Sequence, residues 1–436
     1  MSREILSGFI DEAITKLPEQ VVVQKISAEF GDKYVDDFVK NLKGDLLTEI
    51  QPQNIPAPPA NACPLNLEFS RQTEKTEING VAATIYRAEK KTNVSGDNNL
   101  VNIVVPCRNS TNLISDSFEL LMSEMAKSKK TEFNVAFQVN NTKDDTTQKI
   151  LSLIDSFSEH IPNGNLYLVE TPQKDVLSLP GSLNIGYTFL NKMVVRRTGD
   201  SKTFFSFWDD ELKPIIPTAL SLFESNILQL TSSAVNKAVS GYMVDTRNDV
   251  SRWHELCKGF SSDLRFIHSK PYLHGGAGTI LKFSDYPESG IKMGGIADTD
   301  LSEHLLGHVD VKTLSTLSSD NWPVRTNSDA PVYHPIKENI LNWTTKYLMY
   351  QIAWRNTFQS ISNTSPETSS LWEQRINENR TIFHNKLKPY LESLPVPKII
   401  ERAFMRSYYL VIKNTKNILD VYNSLKSFRS RSFEMK

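Results

Sequence analysis

Apolar positions in the first fifty residues recur three to four apart, with Ile5, Phe9, Ile10, Ile14 and Leu17 in one stripe and a second run from Val35 to Leu47. That spacing predicts a small helical lead-in. The stretch from Gln51 to Pro64 then carries five prolines, which remove backbone donors and restrict φ, so it reads as a linker or wrapping arm. Thr76 to Ala88 alternates around Asn79-Gly80, a hairpin signal. From residue 100 the pattern changes. Val101–Pro106, Phe133–Val139 and Asn165–Glu170 are short β-rich runs, with helical stretches near 111–127 and 145–159 between them. A fourth run, Thr203–Trp208, follows a helix-compatible stretch at 182–195. Strand–helix alternation at a spacing of about 30 residues predicts βαβ units. The fold class expected is therefore α/β, a mainly parallel sheet covered by helices on both faces. After Pro335 the chain turns helical, with candidates at Ile336–Ser360, Ser369–Leu391 and Ile399–Ser427. The predicted organisation is a helical N-terminal arm and linker over 1–66, an α/β domain over 67–336 and a helical C-terminal extension over 337–436.

Composition narrows the class of function. Lys and Arg total 49 against 50 Asp and Glu, a formal net charge of −1, so no global basic field points to nucleic acid or an anionic membrane. No run of 18 apolar residues exists to span a bilayer. The first residues lack the layout of a secretory signal, and a cytoplasmic location is expected. Cys63, Cys107 and Cys257 have no paired spacing, which supports neither a disulfide framework nor a zinc cluster. The ends carry opposite charge. Ten acids face six bases over 1–50, and nine bases face three acids over 396–436, a pattern suited to terminal segments that pack on each other or on a partner.

In a parallel sheet, ligands bind beyond the carboxyl ends of the strands. The first β-rich run ends in Pro106-Cys107-Arg108-Asn109, the second in Asn140-Asn141-Thr142, and the fourth runs straight into Asp209-Asp210-Glu211. Three consecutive carboxylates repel one another unless a cation sits among them. A hard divalent cation such as Mn²⁺ or Mg²⁺ fits oxygen ligands of this kind and commonly bridges to a substrate diphosphate. The plainer reading is an acidic turn opening the next helix.

The order of these motifs resembles that of family 2 glycosyltransferases with the GT-A fold. Val101–Ser110 looks like the opening strand, and the Pro180–Gly186 stretch, with Gly181, Asn184 and Gly186, is similar to the Gly-then-Asn-x-Gly segment before the metal-binding strand. Asp209-Asp210-Glu211 falls where the Asp-x-Asp signature belongs. Gly275–Gly278 and Thr299-Asp300-Leu301 resemble the acceptor-side glycine region and the catalytic acidic segment, and Ala330–Pro335 looks like the closing strand with its histidine, His334. The resemblance covers roughly residues 98–336. It implies a nucleotide-sugar lying across Pro106, Arg108, Asn109, Asn141, Gly181, Asn184 and Asp209. Asp210, Glu211 and His334 would hold Mn²⁺ or Mg²⁺. Asp300 would be the base that takes the proton of an acceptor hydroxyl, with Asp298 as the alternative. Both acids also suit the first turn of a helix.

The sequence departs from the family pattern in three places. Asn140 and Asn141 stand where an acid usually addresses uracil, Leu183 where a base would help hold the diphosphate, and Glu211 in place of a second aspartate. The function implied is metal-dependent, inverting glycosyl transfer from a nucleotide-sugar, with a UDP-sugar as the leading donor. Acceptors compatible with it are a saccharide, a protein side chain or a modified DNA base. Two alternatives stand beside it: a non-catalytic sheet scaffold whose helical ends bind a partner, and a nucleotidyltransferase. The latter would need a glycine-rich basic loop that Arg108-Asn109-Ser110-Thr111 does not supply. His304 and His308 share a helix face, but the glutamate of a zinc-protease motif is missing between them, which argues against zinc chemistry of that kind. Trp343, Tyr347, Tyr350 and Trp354 are spaced as core contacts of a helix or as a sugar-stacking rim.

Overall fold

The computed structural model describes residues 69–90, 98–157, 164–172, 179–194, 202–212, 220–246, 271, 273–291, 297–335 and 366–393. The N-terminal arm, the proline-rich linker, the aromatic stripe at 343–354 and the basic C-terminal stretch lie outside the described residues.

Strands β1 (Phe69–Ile78) and β2 (Val81–Lys90) form the expected hairpin. Asn79 and Gly80 at its tip have φ of 53° and 79°, the paired left-handed conformation of a two-residue turn whose twist matches the strands. The βαβ pattern follows: β3 (Asn99–Cys107), α1 (Ile114–Lys127), β4 (Thr131–Asn140), α2 (Thr146–Phe157), β5 (Gly164–Thr171), α3 (Leu179–Phe189) and β6 (Thr203–Trp208). Each of the four runs marked in the sequence is a strand. Beyond them come α4 (Leu222–Thr231), β7 (Ala238–Thr246), β8 (Ala277–Lys282), α5 (Ala297–Leu306), α6 (Val311–Thr316), β9 (Val324–Pro335) and α7 (Pro366–Ser393). All the strands join one sheet in the order β1-β2-β5-β4-β3-β6-β8-β7-β9. Only β2 and β8 run against the common direction. The sheet is thus mainly parallel, as expected, with an antiparallel member wedged between β6 and β7.

Strand periodicity divides the core into two layers. Val101, Ile103 and Val105 of β3, with Phe133, Val135 and Phe137 of β4, face α1, α2 and α4 through Phe118, Leu121, Ile150 and Phe223. Val104 and Ala136, on the opposite face, join Leu183 and Phe189 of α3, Leu301 and Leu305 of α5, and Trp372 and Ile376 of α7. α3 lies close to the sheet because Gly186 lacks a side chain: a Cβ there would stand 2.5 Å from a Val104 methyl group. α7 corresponds to the predicted helix at 369–391, and it is packed on the α/β domain. Trp372 is 1% exposed and donates its indole N–H to the Pro271 carbonyl at 3.0 Å.

β7 and β8 were not legible as strands in the sequence. β7, AVSGYMVDT, is interrupted by Gly241, where a Cβ would press on the carbonyls of Ala277 and Ala330 at 2.7 Å. Its pairing depends on that close approach of neighbouring backbone and not on a local pattern.

Candidate active site

The ends of β3 and β4 are stitched together by their loops. Asn109, at φ 52°, accepts the Lys143 N–H on its Oδ1 at 2.8 Å and donates its own N–H to Thr142 Oγ1 at 3.3 Å. The Ser110 N–H reaches Thr146 Oγ1 at 2.7 Å. Asp144 closes the same corner, accepting from the Thr142 hydroxyl, from the Thr146 N–H and hydroxyl, and from the Thr111 N–H. Burial alone would raise this carboxyl, but the hydrogen bonds outweigh it and hold it well below the usual carboxylate range. Arg108 is exposed at this corner, Pro106 is half-buried near the end of β3, and Asn141 is buried with φ 44°.

β6 delivers the acidic run to the same edge. Asp210 accepts a hydrogen bond from the Ser110 hydroxyl, which ties the acidic turn to the loop after β3. The Asp209 backbone is held from both sides. Its N–H donates to the Gly276 carbonyl at 3.0 Å, and its carbonyl accepts the Ser117 hydroxyl at 2.7 Å, itself oriented by the Trp208 indole N–H at 2.9 Å. Asp209, Asp210 and Glu211 are all partly buried. Burial, and then the Asp210 charge, push the neighbouring Cys107 thiol well up, so this cysteine stays protonated and inert.

Asp298 joins this cluster from α5. Asp298 and Asp300 both lie in the first turn of that helix, where acids are favoured. The Asp298 carboxyl lies beside Gly275, where an added Cβ would stand in ordinary van der Waals contact with it at 3.9 Å. Burial pushes its pKa up to about 7, and the Asp209 charge adds to the rise, against hydrogen bonds from the Thr299 and Gly275 backbone. Asp300 is 9% exposed, deeper in the fold.

The remaining predicted positions are placed differently. Gly181 is buried in α3. Asn184, one turn further, has its amide engaged on three sides: Oδ1 accepts the Tyr286 hydroxyl at 2.8 Å and the Ile291 N–H at 2.7 Å, and Nδ2 donates to the Ile291 carbonyl at 2.8 Å. This clamps the turn after β8 onto α3. His334 lies on β9, opposite Asp245 of β7 in the register, and its side chain is outside the described residues. Asn140 donates to Ser182 Oγ at 3.1 Å, linking the β4 end to the start of α3. Ser110, Ser117 and Ser182 carried no distinguishing signal in the sequence, since nothing local separates a hydroxyl that positions a carboxylate from one on the surface.

Among the described residues no three His, Cys, Asp or Glu side chains are gathered into a ready-made metal cage. The donor set that is present, adjacent Asp and Glu carboxylates at a sheet edge, fits the way Mg²⁺ and Mn²⁺ are usually held. One or two carboxylates bind, and substrate phosphates with water fill the remaining positions. Among the described residues no helix is long and apolar enough to cross a membrane.

The acidic turn after β6 lies at the strand-end edge of this mainly parallel sheet. No protein-family model matches the sequence, and no curated protein matches it. Solved structures match it at low similarity. A mannosyltransferase from Pyrobaculum calidifontis, solved with GDP-Man and Mn²⁺, shares 13% identity over 74% of this chain and 84% of that one, at a TM-score of 0.41. TarS 1–349 of S. aureus with UDP-GlcNAc shares 12% over 75% and 91%, at 0.38. Glucosyl-3-phosphoglycerate synthase from Mycobacterium tuberculosis with Mg²⁺ and UDP shares 10% over 59% and 79%, at 0.32.

Proposed function

We propose that the protein is a metal-dependent glycosyltransferase that moves a sugar from a nucleotide-sugar, a UDP-sugar foremost, to an acceptor hydroxyl with inversion. The observation that carries the reading is the convergence of Asp209, Asp210, Gly275, Gly276 and Asp298 at one edge of the sheet, beyond the ends of β3 and β6.

In this reading the donor lies over Pro106, Arg108, Asn109 and Asn141, with Asp209 toward the ribose and sugar. Asp210 and Glu211, with His334, would hold Mn²⁺ or Mg²⁺, and the cation would offset the charge of the departing diphosphate. Asp298 takes the acceptor proton as the acceptor oxygen attacks the anomeric carbon and the bond to the diphosphate breaks. A carboxyl poised near neutral pH, beside a second acid, suits that task. Asp300, one helical step deeper, is the alternative base. The amides of Asn140 and Asn141 pair with uracil or with another base, so the nucleotide is the first thing to measure.

The test is thermal stabilisation of the full chain by nucleoside diphosphates and nucleotide-sugars, with and without Mn²⁺, since a ligand that binds only the native state raises its melting temperature. A metal-dependent shift confined to one nucleotide, lost in Asp210→Ala, supports the reading. No shift with any donor, together with tolerance of Asp209→Ala and Asp210→Ala, would replace it with the scaffold function.

A further inference from the structure

We propose that His304 and His308 form a binding site for a divalent transition metal of the zinc, nickel or copper class at the C-terminal end of α5. His304 lies in the last turn of that helix. The chain stays coiled past it, with Gly307 N–H donating to the Glu303 carbonyl at 3.0 Å and His308 N–H to the Leu305 carbonyl at 3.2 Å. The two imidazoles therefore stack on one face, a helical turn apart. Their Nε2 atoms stand 3.3 Å from each other, with ring centroids at 4.7 Å and planes inclined by 77°.

That separation has a chemical meaning. Two nitrogens each about 2.0–2.1 Å from a tetrahedral Zn²⁺ stand about 3.3–3.4 Å apart, so the pair already has the spacing of two ligands. Without a metal the two nitrogens share a long hydrogen bond whose direction the tautomers set, and a bound cation would take the place of its proton. Histidines four apart on a helix are a known zinc-binding arrangement, and imidazole suits zinc, copper and nickel alike. Burial, and then His308, hold His304 below the usual histidine range, while Asp285 opposes them, so His304 is an unprotonated ligand near neutral pH. Asp285 ends the short turn after β8 and supplies the negative charge facing His304. His308 is exposed, which leaves room for water to complete the coordination. The site shares no residue with the acidic cluster after β6 and does not depend on the glycosyl-transfer reading. The missing glutamate noted in the sequence excludes the protease motif, and it leaves metal binding by the two imidazoles untouched.

The experiment is a calorimetric titration of the chelator-treated full chain with Zn²⁺, repeated with Co²⁺ as a visible-absorption probe of ligation. The expected result is one saturable site with a raised melting temperature. In His308→Ala, an exposed position where circular dichroism should show the fold retained, affinity should fall roughly ten-fold or more. Equal affinity and stoichiometry in the native chain and His308→Ala would overturn the proposal, because binding would then lie elsewhere among the eight histidines. Absence of saturable binding up to millimolar Zn²⁺ would overturn it as well.

Discussion

Asp209 and Gly276 meet backbone to backbone: the Asp209 N–H donates to the Gly276 carbonyl at 3.0 Å, and a Cβ on Gly276 would overlap the Asp209 carboxyl group. The glycine pair that precedes β8 is therefore part of the acidic corner, and the acidic run at the end of β6 owes its position to a strand that runs against it.

Gly276→Ala follows directly. The added methyl group must displace either the Asp209 side chain or the β6–β8 pairing, at a cost of about 1–3 kcal/mol. A lower melting temperature and at least a ten-fold fall in donor turnover are expected. Turnover equal to that of the native chain would mean that Asp209 has no part in the site.

Asp298 predicts two pH dependences. A carboxyl whose folded pKa stands near 7, against about 3.9 unfolded, binds its proton more tightly in the native state. Native stability should thus fall as pH rises from about 4 to 7 and level off above. Asp298→Asn removes the buried charge and should stabilise the fold above pH 7 by about 1–2 kcal/mol, well under the ceiling of about 4 that the full shift would give. Urea unfolding at pH 5 and pH 8 measures it, and an equal effect at both would refute the assignment. In the proposed reaction, kcat/KM should rise with pH through about 7 and lose that limb in Asp298→Asn.

The legible part of the fold was the part with a local period. Val101–Pro106 and Phe133–Val139 read as strands because their residues face helical layers on both sides and are apolar apart from Asn102, Asn134 and Gln138, and Asn79-Gly80 read as a turn because two left-handed residues in succession demand such a pair. β7 and β8 were missed because their register rests on the backbone approach at Gly241 and Gly276, which leaves no periodic trace. The acidic run was visible as chemistry, but its partners were not. Ser110 lies 100 residues from Asp210 in the chain, and α4 and β7 come between Asp209 and Gly276. Asn184 illustrates the converse. Its spacing within α3 resembles a donor-binding signature, and that pattern gave no sign that the amide also holds Tyr286 and Ile291.

That clamp can be tested apart from activity. Asn184→Ala leaves the Tyr286 hydroxyl and both Ile291 backbone groups without their partner, and the loss should cost about 2–4 kcal/mol. Gly290, where a Cβ would stand 2.6 Å from the Asn184 amide carbon, should be equally intolerant of alanine. Equilibrium unfolding of both variants is the measurement. If Asn184→Ala were as stable as the native chain while losing nucleotide-sugar binding, the residue would belong to the donor site and the clamp would be incidental.

A buried asparagine ladder gives the last prediction. Asn165 Nδ2 donates to Asn134 Oδ1 at 3.1 Å, Asn134 Nδ2 to Asn102 Oδ1 at 2.9 Å, and Asn102 Nδ2 to the Phe204 carbonyl at 3.2 Å. The chain of amides crosses β5, β4, β3 and β6 on one face, so it fixes the register of the parallel core, where a one-residue slip would carry it to the other face. Removing the middle member breaks two bonds and strands two buried amide groups. Asn134→Ala should therefore cost about 2–4 kcal/mol, more than Asn165→Ala, which ends the ladder at a partly exposed position. Replacing Asn102 and Asn134 together by Val should recover part of the loss, because no amide in the pair is then left half-satisfied. A double-mutant cycle read by urea unfolding decides it: additive losses would show that the amides act singly, and a double variant more stable than Asn134→Ala would show that they act as one network.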